Sequence, residues 1–339
     1  MGNIRRNAEL FSARLETPLC AVVKANAYGH GAEEVVSALS GAAKMFAVAL
    51  LEEGISLRLA NCKEDILVFT PPLDEEEVYQ LSVHHLLATI PDLSTAKLVS
   101  AVCARYRLRL RVHIKVNIGM NRYGMNGSML GKVCKFLQGD PYVQVEGMYA
   151  HLSGHTPTEA EEERQRFLQM ERIAKRYFSS LISHLGATYG AMLGKQYAFD
   201  MIRIGLGLYG YLPQGQEEVY AQFPLKKGMQ VYAKAITSRV YSFGNVGYGK
   251  GEVQKGEKLS VCRVGYADGF LRTRQNGMDE FEKQPNNLCM DVCIRRGKLA
   301  KGKWIPIMTD AAKVAELTKT IPYEVLCAAT RRATFVYVP

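Results

Sequence analysis

Leu19-Cys20-Ala21-Val22-Val23-Lys24-Ala25-Asn26-Ala27-Tyr28-Gly29-His30-Gly31 opens the part of the chain that decides the fold. The apolar run 19–23 reads as a short buried strand, and the amphipathic stretch 33–39 reads as the helix that follows it. The same strand-then-helix unit recurs downstream. Further strands are expected at 46–50, 66–69, 86–90, 108–115, 145–151, 183–188 and 201–205. Helices are expected at 93–105, 128–137 and 158–178, with one more at the start, 1–15. Eight such units in series are the pattern of a parallel (β/α)8 TIM-like barrel.

The pattern changes after Pro213–Gly215, which reads as a linker. Strand-like alternation follows at 229–240 and 258–266, with a glycine-rich stretch at 242–251. A helix is expected at 310–319, capped by Thr309 or Asp310. The expected division is a barrel over residues 1–214 and a mainly β domain over 215–339.

The bulk composition fits this plan. A chain of 339 residues is too long for one ordinary core, and 47% hydrophobic with 22% charged residues is typical of a globular protein. No apolar run is long enough to span a bilayer, and no secretory signal opens the chain, so a cytoplasmic protein is expected. Eight scattered cysteines show no paired ligand spacing, which argues for reduced thiols and against a metal site. The net charge of +10 raises nucleic acid as a partner. In the densest basic stretch, however, Arg107, Arg109, Arg111, His113 and Lys115 alternate with apolar residues. That is the period of a strand, without the interleaved aromatics of a single-strand binding groove. An anionic cofactor or substrate accounts for the local charge, and no nucleic-acid partner is expected.

Barrel enzymes work at the carboxyl ends of their strands. The unusual residues fall there: Lys24 after the first strand, Lys115 and Arg122 at the fifth, His151 at the sixth, Thr188 after the seventh, and Arg203, Gly205 and Leu206 at the eighth. A lysine at a strand mouth suits Schiff-base chemistry, although alone it reads more readily as a lysine that reaches out to water. The Thr188 hydroxyl and the Gly205–Leu206 backbone offer a phosphate cradle, which Tyr28 would close.

Several strings in order resemble the alanine racemases, a family dependent on pyridoxal phosphate. They are Ala21 to Gly31, Lys115 to Arg122, Met201 to Gly210, Val264-Gly265-Tyr266-Ala267-Asp268-Gly269, Cys289-Met290-Asp291 and Tyr323-Glu324-Val325-Leu326-Cys327. The resemblance covers nearly the whole chain. It implies that Lys24 holds pyridoxal 5′-phosphate covalently and that Lys24 and Tyr266 are the two catalytic acid–base groups. It implies cofactor contacts from Tyr28, Arg122, His151, Thr188, Arg203, Gly205, Leu206 and Tyr323, with Arg203 facing the pyridine nitrogen. Arg122, Met290 and Lys115 would meet the substrate, and Lys115 matches a position often carbamylated in the family. The implied activity is interconversion of L- and D-alanine, which supplies D-alanine for peptidoglycan. It would be carried by a homodimer in which Tyr266 and Met290 come from the second subunit.

The chain also departs from the family pattern. It opens almost directly on a helix, and the stretches between Gly269 and Cys289 and after Asp291 are short, as if a strand pair of the β domain were missing. Thr188-Tyr189-Gly190 replaces the commoner Asn-Ser-Ala and resembles the membrane-anchored serine racemases of vancomycin resistance. Tyr323, in contrast, matches the alanine enzymes. Rival readings are a serine racemase of the same family, an amino-acid decarboxylase on the same barrel, and a non-catalytic cofactor-binding barrel.

Overall fold

The computed structural model describes residues 1–154, 156–213, 223–248, 253–273 and 275–339. The chain divides into two compact units, residues 1–27 with 32–226 and residues 28–31 with 227–339. The expected boundary at 214/215 lies outside the described residues.

The first unit is a ring of eight parallel strands: β1 (Leu19–Val22), β2 (Met45–Val48), β3 (Asp65–Val68), β4 (Ala88–Ile90), β5 (Leu110–Lys115), β6 (Val143–Tyr149), β7 (Ile182–His184) and β8 (Ile202–Ile204). They pair as β3-β2-β1-β8 and β4-β5-β6-β7. Two seams close the ring. At one, Leu87 bridges Leu67, with Val68 N donating to Leu87 O at 2.9 Å. At the other, Arg203 N donates to Gly186 O at 3.1 Å, just beyond β7. The strands are nearly continuous apolar runs because a barrel strand is buried on both faces.

Local sequence fixes the helices between the strands. Asp92 caps helix Leu93–Tyr106 by accepting from Thr95 N, and Asn126 caps Gly127–Leu137 by accepting from Met129 N. Thr156 and Glu159 form a capping box, with Pro157 at the first turn, at the start of Pro157–Lys175. The first helix, Gly2–Leu15, docks through buried Asn7, whose amide donates to Leu208 O and Lys226 O. Gly207 has no side chain because a Cβ there would lie 2.7 Å from the ring of Phe11.

The basic face of β5 has a different role from the one its alternation suggests. Arg111, His113 and Lys115 lie on the barrel's inner side. Arg111 pairs with Asp65 and Glu146, while His113 and Lys115 are buried. The charge is spent inside the ring, on ion pairs and on the site described below.

The second unit carries an antiparallel sheet ordered β11-β10-β9-β12, from β9 (Val231–Val240), β10 (Lys258–Cys262), β11 (Cys293–Arg296) and β12 (Trp304–Met308). Asp310 caps the helix Ala311–Thr318 by accepting from Ala312 N. A last helix, Pro322–Ala328, follows. The strand expected over 258–266 ends at Cys262. Beyond it the chain folds into a tight turn at Tyr266–Asp268, where Asp268 accepts from Gly265 N at 2.7 Å. Part of the glycine-rich stretch 242–251 lies outside the described residues.

Candidate active site

Lys24 starts an unusual turn. Ala25, Asn26, Ala27 and Tyr28 all have φ near +53°, so Lys24–Gly29 winds left-handed. Such a conformation costs about 1–2 kcal/mol per non-glycine residue, so the surroundings must hold it. Ala27 N donates to Val23 O at 2.8 Å, and Asn26 Oδ1 accepts from Ala32 N at 2.8 Å. Glu53 braces the start of the turn, its carboxylate accepting from Ala25 N, Ala49 N and Leu50 N. The small residues of the string now have a reason: a β-branched side chain would not tolerate this φ.

Lys115 ends β5 with its ammonium between the rings of Tyr123 and Tyr149, at 5.7 and 5.4 Å, donating to Val116 O at 2.7 Å. Burial and the nearby Arg203 and Arg122 pull its pKa down to about 7. Arg122 rides on a loop closed by Asn117 N donating to Met125 O and Met125 N donating to Lys115 O. Asn117 also accepts from Gly119 N and Asn121 N, which curls the loop under Arg122. Buried Glu163 accepts from Ser153 N and Gly154 N after β6 and lies against Gly119, where a Cβ would stand 2.5 Å from its carboxylate. One carboxylate thus braces the loops that carry Arg122 and His151.

His151 sits where the cations converge. Burial, then Arg203, Arg122, Lys115 and Lys24 together push it down to about 3, so it is neutral. Arg203, in the middle of β8, points both Nη1 and Nη2 at fixed acceptors: His184 Nδ1 and O, Ala150 O and Leu185 O, at 2.5 to 2.9 Å. Thr188 begins helix Thr188–Leu193, and its hydroxyl accepts from Gly207 N at 3.2 Å, tying the loop after β7 to the Leu206–Tyr209 turn after β8. Gly205 and Leu206 lie at the start of that turn.

The remaining predicted residues belong to the second unit. Tyr28 and Tyr323 stand with ring centroids 5.9 Å apart. Burial, with Tyr323 and Cys327 beside it, pushes the Tyr28 hydroxyl far up. Gly29, at φ +80°, lets the string reach the last helix: a Cβ would lie 2.4 Å from Leu326 O. Tyr266 and Met290 form a second group. Tyr266 N donates to Cys289 O at 3.1 Å and Ala267 N to Met290 O at 3.0 Å. Gly265 permits this approach, since a Cβ would sit 2.2 Å from Met290 O.

Sequence reasoning missed four supporting residues. His184 and His113 line up behind Arg203, Glu163 braces the two loops, and Arg332 clamps Asp268 and Asp291 on either side of the Tyr266–Met290 group. The available signal was a histidine two residues before Lys115, on the same strand face. No metal-binding cluster occurs among the described residues.

Family models match both parts of the chain: the alanine racemase N-terminal domain over residues 1–213 and the alanine racemase C-terminal domain over 229–337. The chain belongs to the alanine racemase family. An alanine racemase of Francisella philomiragia is 30% identical over 261 residues, covering 75% of this chain and 70% of that protein. One from Prochlorococcus marinus is 29% identical over 335 residues, covering 91% and 86%. An amino-acid racemase of Enterococcus faecalis is 28% identical over 91% of this chain, which spans 46% of that longer protein. Among solved structures, the E. faecalis alanine racemase superposes with a TM-score of 0.82 at 28% identity, covering 97% of this chain and 94% of that one. The Clostridium difficile 630 enzyme shares the fold at TM-score 0.88 and 24% identity, covering 98% and 92%. So does the Bartonella henselae alanine racemase, solved with covalently bound pyridoxal phosphate, at 0.84 and 23%, covering 99% and 97%.

Proposed function

We propose that the protein interconverts L- and D-alanine, with pyridoxal 5′-phosphate held on Lys24 and with Lys24 and Tyr266 as its two acid–base groups. The observation that carries this reading is the set of basic side chains acting on His151, Lys24, Lys115, Arg122 and Arg203, on one barrel rim. Such a set calls for an anionic ligand. The donors fit the cofactor. Thr188, Gly205, Leu206, Tyr28 and Tyr323 suit a phosphate, Lys24 suits a carbonyl carbon, and Arg203 suits a pyridine nitrogen. When bound, the cofactor supplies an electron-withdrawing ring that makes the substrate's α-hydrogen acidic.

The chain's own residues do the rest. Arg203 keeps its proton at working pH, so beside a bound cofactor's ring nitrogen it would donate without protonating it, which would favour simple proton return over other outcomes. Arg122 binds the substrate carboxylate. Lys115, with its pKa near 7, is uncharged in a large fraction of molecules at neutral pH. It can therefore take up carbon dioxide and become an anion that positions Arg122. Neutral His151 would lie against the ring of a bound cofactor. Lys24 Nζ and the Tyr266 hydroxyl take and return the α-proton on opposite faces. Met290 and Tyr323 bound the side-chain pocket. None of the eight cysteines is in a disulfide, which suits a reducing cytoplasm. Among the described residues no helix is long and apolar enough to cross a membrane.

In this reading Tyr266 and Met290 reach the site of a second copy in a homodimer. Mixing inactive Lys24→Ala and Tyr266→Phe subunits tests it. Free exchange puts about half the molecules in heterodimers with one intact site of two, so about a quarter of the sites recover. No recovery after demonstrated exchange would show that each chain holds a complete site.

A further inference from the structure

Cys262 ends β10 and Cys293 begins β11, and the two stand directly opposite each other in the antiparallel pair. Both are buried. Directly opposed residues of antiparallel strands have Cα atoms about 4.5–5.5 Å apart. That lies within the range of about 4.4–6.8 Å that a disulfide spans.

A third thiol stands at the entrance. Cys289 is only half-buried and lies four residues ahead of Cys293, across a turn closed by Cys289 N donating to Val292 O at 3.1 Å. It is near enough for its charge to act on Cys293. Cys293 opposite it and the Arg295 guanidinium nearby favour the thiolate of Cys262. The two strand ends are also the roots of the segments that carry Tyr266 and Met290, which are joined by the bonds to Cys289 O and Met290 O.

We propose that Cys289, Cys293 and Cys262 form a peroxide-responsive thiol relay whose end state is a Cys262–Cys293 disulfide at the base of the Tyr266 and Met290 segments. The effect on turnover rests on the racemase reading of Tyr266; the bond itself does not. The Cys289 thiolate attacks a peroxide oxygen, the O–O bond breaks, hydroxide leaves, and a sulfenic acid forms. The Cys293 thiol condenses with it, releasing water and forming a Cys289–Cys293 disulfide. The Cys262 thiolate then attacks the Cys293 sulfur and Cys289 leaves as thiolate. Two thiols lose two electrons and the peroxide gains them. The new bond replaces two separate thiols by one covalent link at the roots of the Tyr266 and Met290 segments, and so stiffens the turn on which the tyrosine must reach its working position. A dithiol reverses the bond.

The test treats the holoenzyme with a small excess of hydrogen peroxide, blocks remaining thiols, and maps linked peptides by mass spectrometry. A peptide joining Cys262 to Cys293 is expected, with loss of most turnover that dithiothreitol restores. Cys289→Ser should slow formation of the link, and Cys293→Ala should form no link and keep its turnover under the same treatment. Absence of the link in the parent would overturn the relay whatever the activity. A link with unchanged turnover would overturn its control of Tyr266. A link formed in a protein that never racemised would leave the relay standing and remove the racemase reading instead.

Discussion

Nη1 of Arg203 donates to Nδ1 of His184 at 2.9 Å in the barrel interior. Arginine has no acceptor, so His184 Nδ1 carries no proton and its hydrogen sits on Nε2. That atom meets His113 Nδ1 at 2.8 Å, so His113 in turn carries its hydrogen on Nε2, which has no hydrogen-bond partner. The ring of His113 fits only because Gly147 lacks a side chain; a Cβ there would lie 2.6 Å from it. The arginine thus fixes two tautomers behind it.

This line of histidines sets the acid stability. Burial, with Arg111 and Arg203 contributing, pushes His113 down to about 3, and burial with Arg203 holds His184 well below its ordinary value. His151 is also at about 3. In the unfolded chain these groups titrate near 6.5. As pH falls from about 6.5 to 3 the unfolded chain binds protons that the folded one refuses, so stability is fully present above 6.5 and drains away below it. Melting temperature should fall through that window. His113→Gln, which still accepts from His184, should flatten the decline by a contribution on the order of a few kcal/mol. Identical pH profiles for parent and variant would remove His113 from this account.

Lys115 makes the second prediction. Its amine, uncharged in a large fraction near pH 7, is nucleophilic enough to bind carbon dioxide. Protein equilibrated with 13C-bicarbonate at pH 8 should show a carbamate carbon resonance that Lys115→Arg lacks. A parent with no such resonance would mean that Arg122 is positioned without a carbamate.

In the proposed reading substrate choice depends on Tyr323, which is half-buried beside Tyr28. Its ring would crowd a serine side chain, and a hydroxyl engaged with the phosphate offers serine no partner. An apolar pocket rejects one extra hydroxyl only weakly, on the order of a hundredfold. Alanine should be preferred, with weak serine turnover, and Tyr323→Asn should move the ratio of kcat/KM values toward serine. A parent that prefers serine, or an unmoved ratio in the variant, would show that Tyr323 does not set the choice.

Much of this architecture is legible in the sequence because barrel strands are apolar on both faces and the helices carry explicit caps. All eight strands occur where the apolar runs place them, with ends differing by a few residues. The ends drift where the backbone finds other partners: β7 stops at His184, and Gly186 beyond it donates to Tyr197 O and accepts from Arg203 N. Less legible are β11 and β12, short runs in a glycine- and lysine-rich stretch whose pairing depends on distant β9 and β10. The rim residues stand out as polar groups at strand ends. Their supports do not. His184 and Glu163 act through contacts made only once distant strands and helices meet, and nothing local marks them. The left-handed turn after Lys24 is also invisible to propensity, since alanine and tyrosine ordinarily avoid that region.

The central claim is that Lys24 carries the cofactor, and the most direct measurement is the absorption spectrum of the purified protein before and after borohydride. The parent should show a visible band of lysine-linked pyridoxal phosphate that borohydride bleaches, and digestion should then yield the reduced cofactor on the peptide containing Lys24. Lys24→Ala should lack both the reducible band and racemisation. A parent without the band, or a Lys24→Ala protein that keeps the band and the activity, would contradict the account.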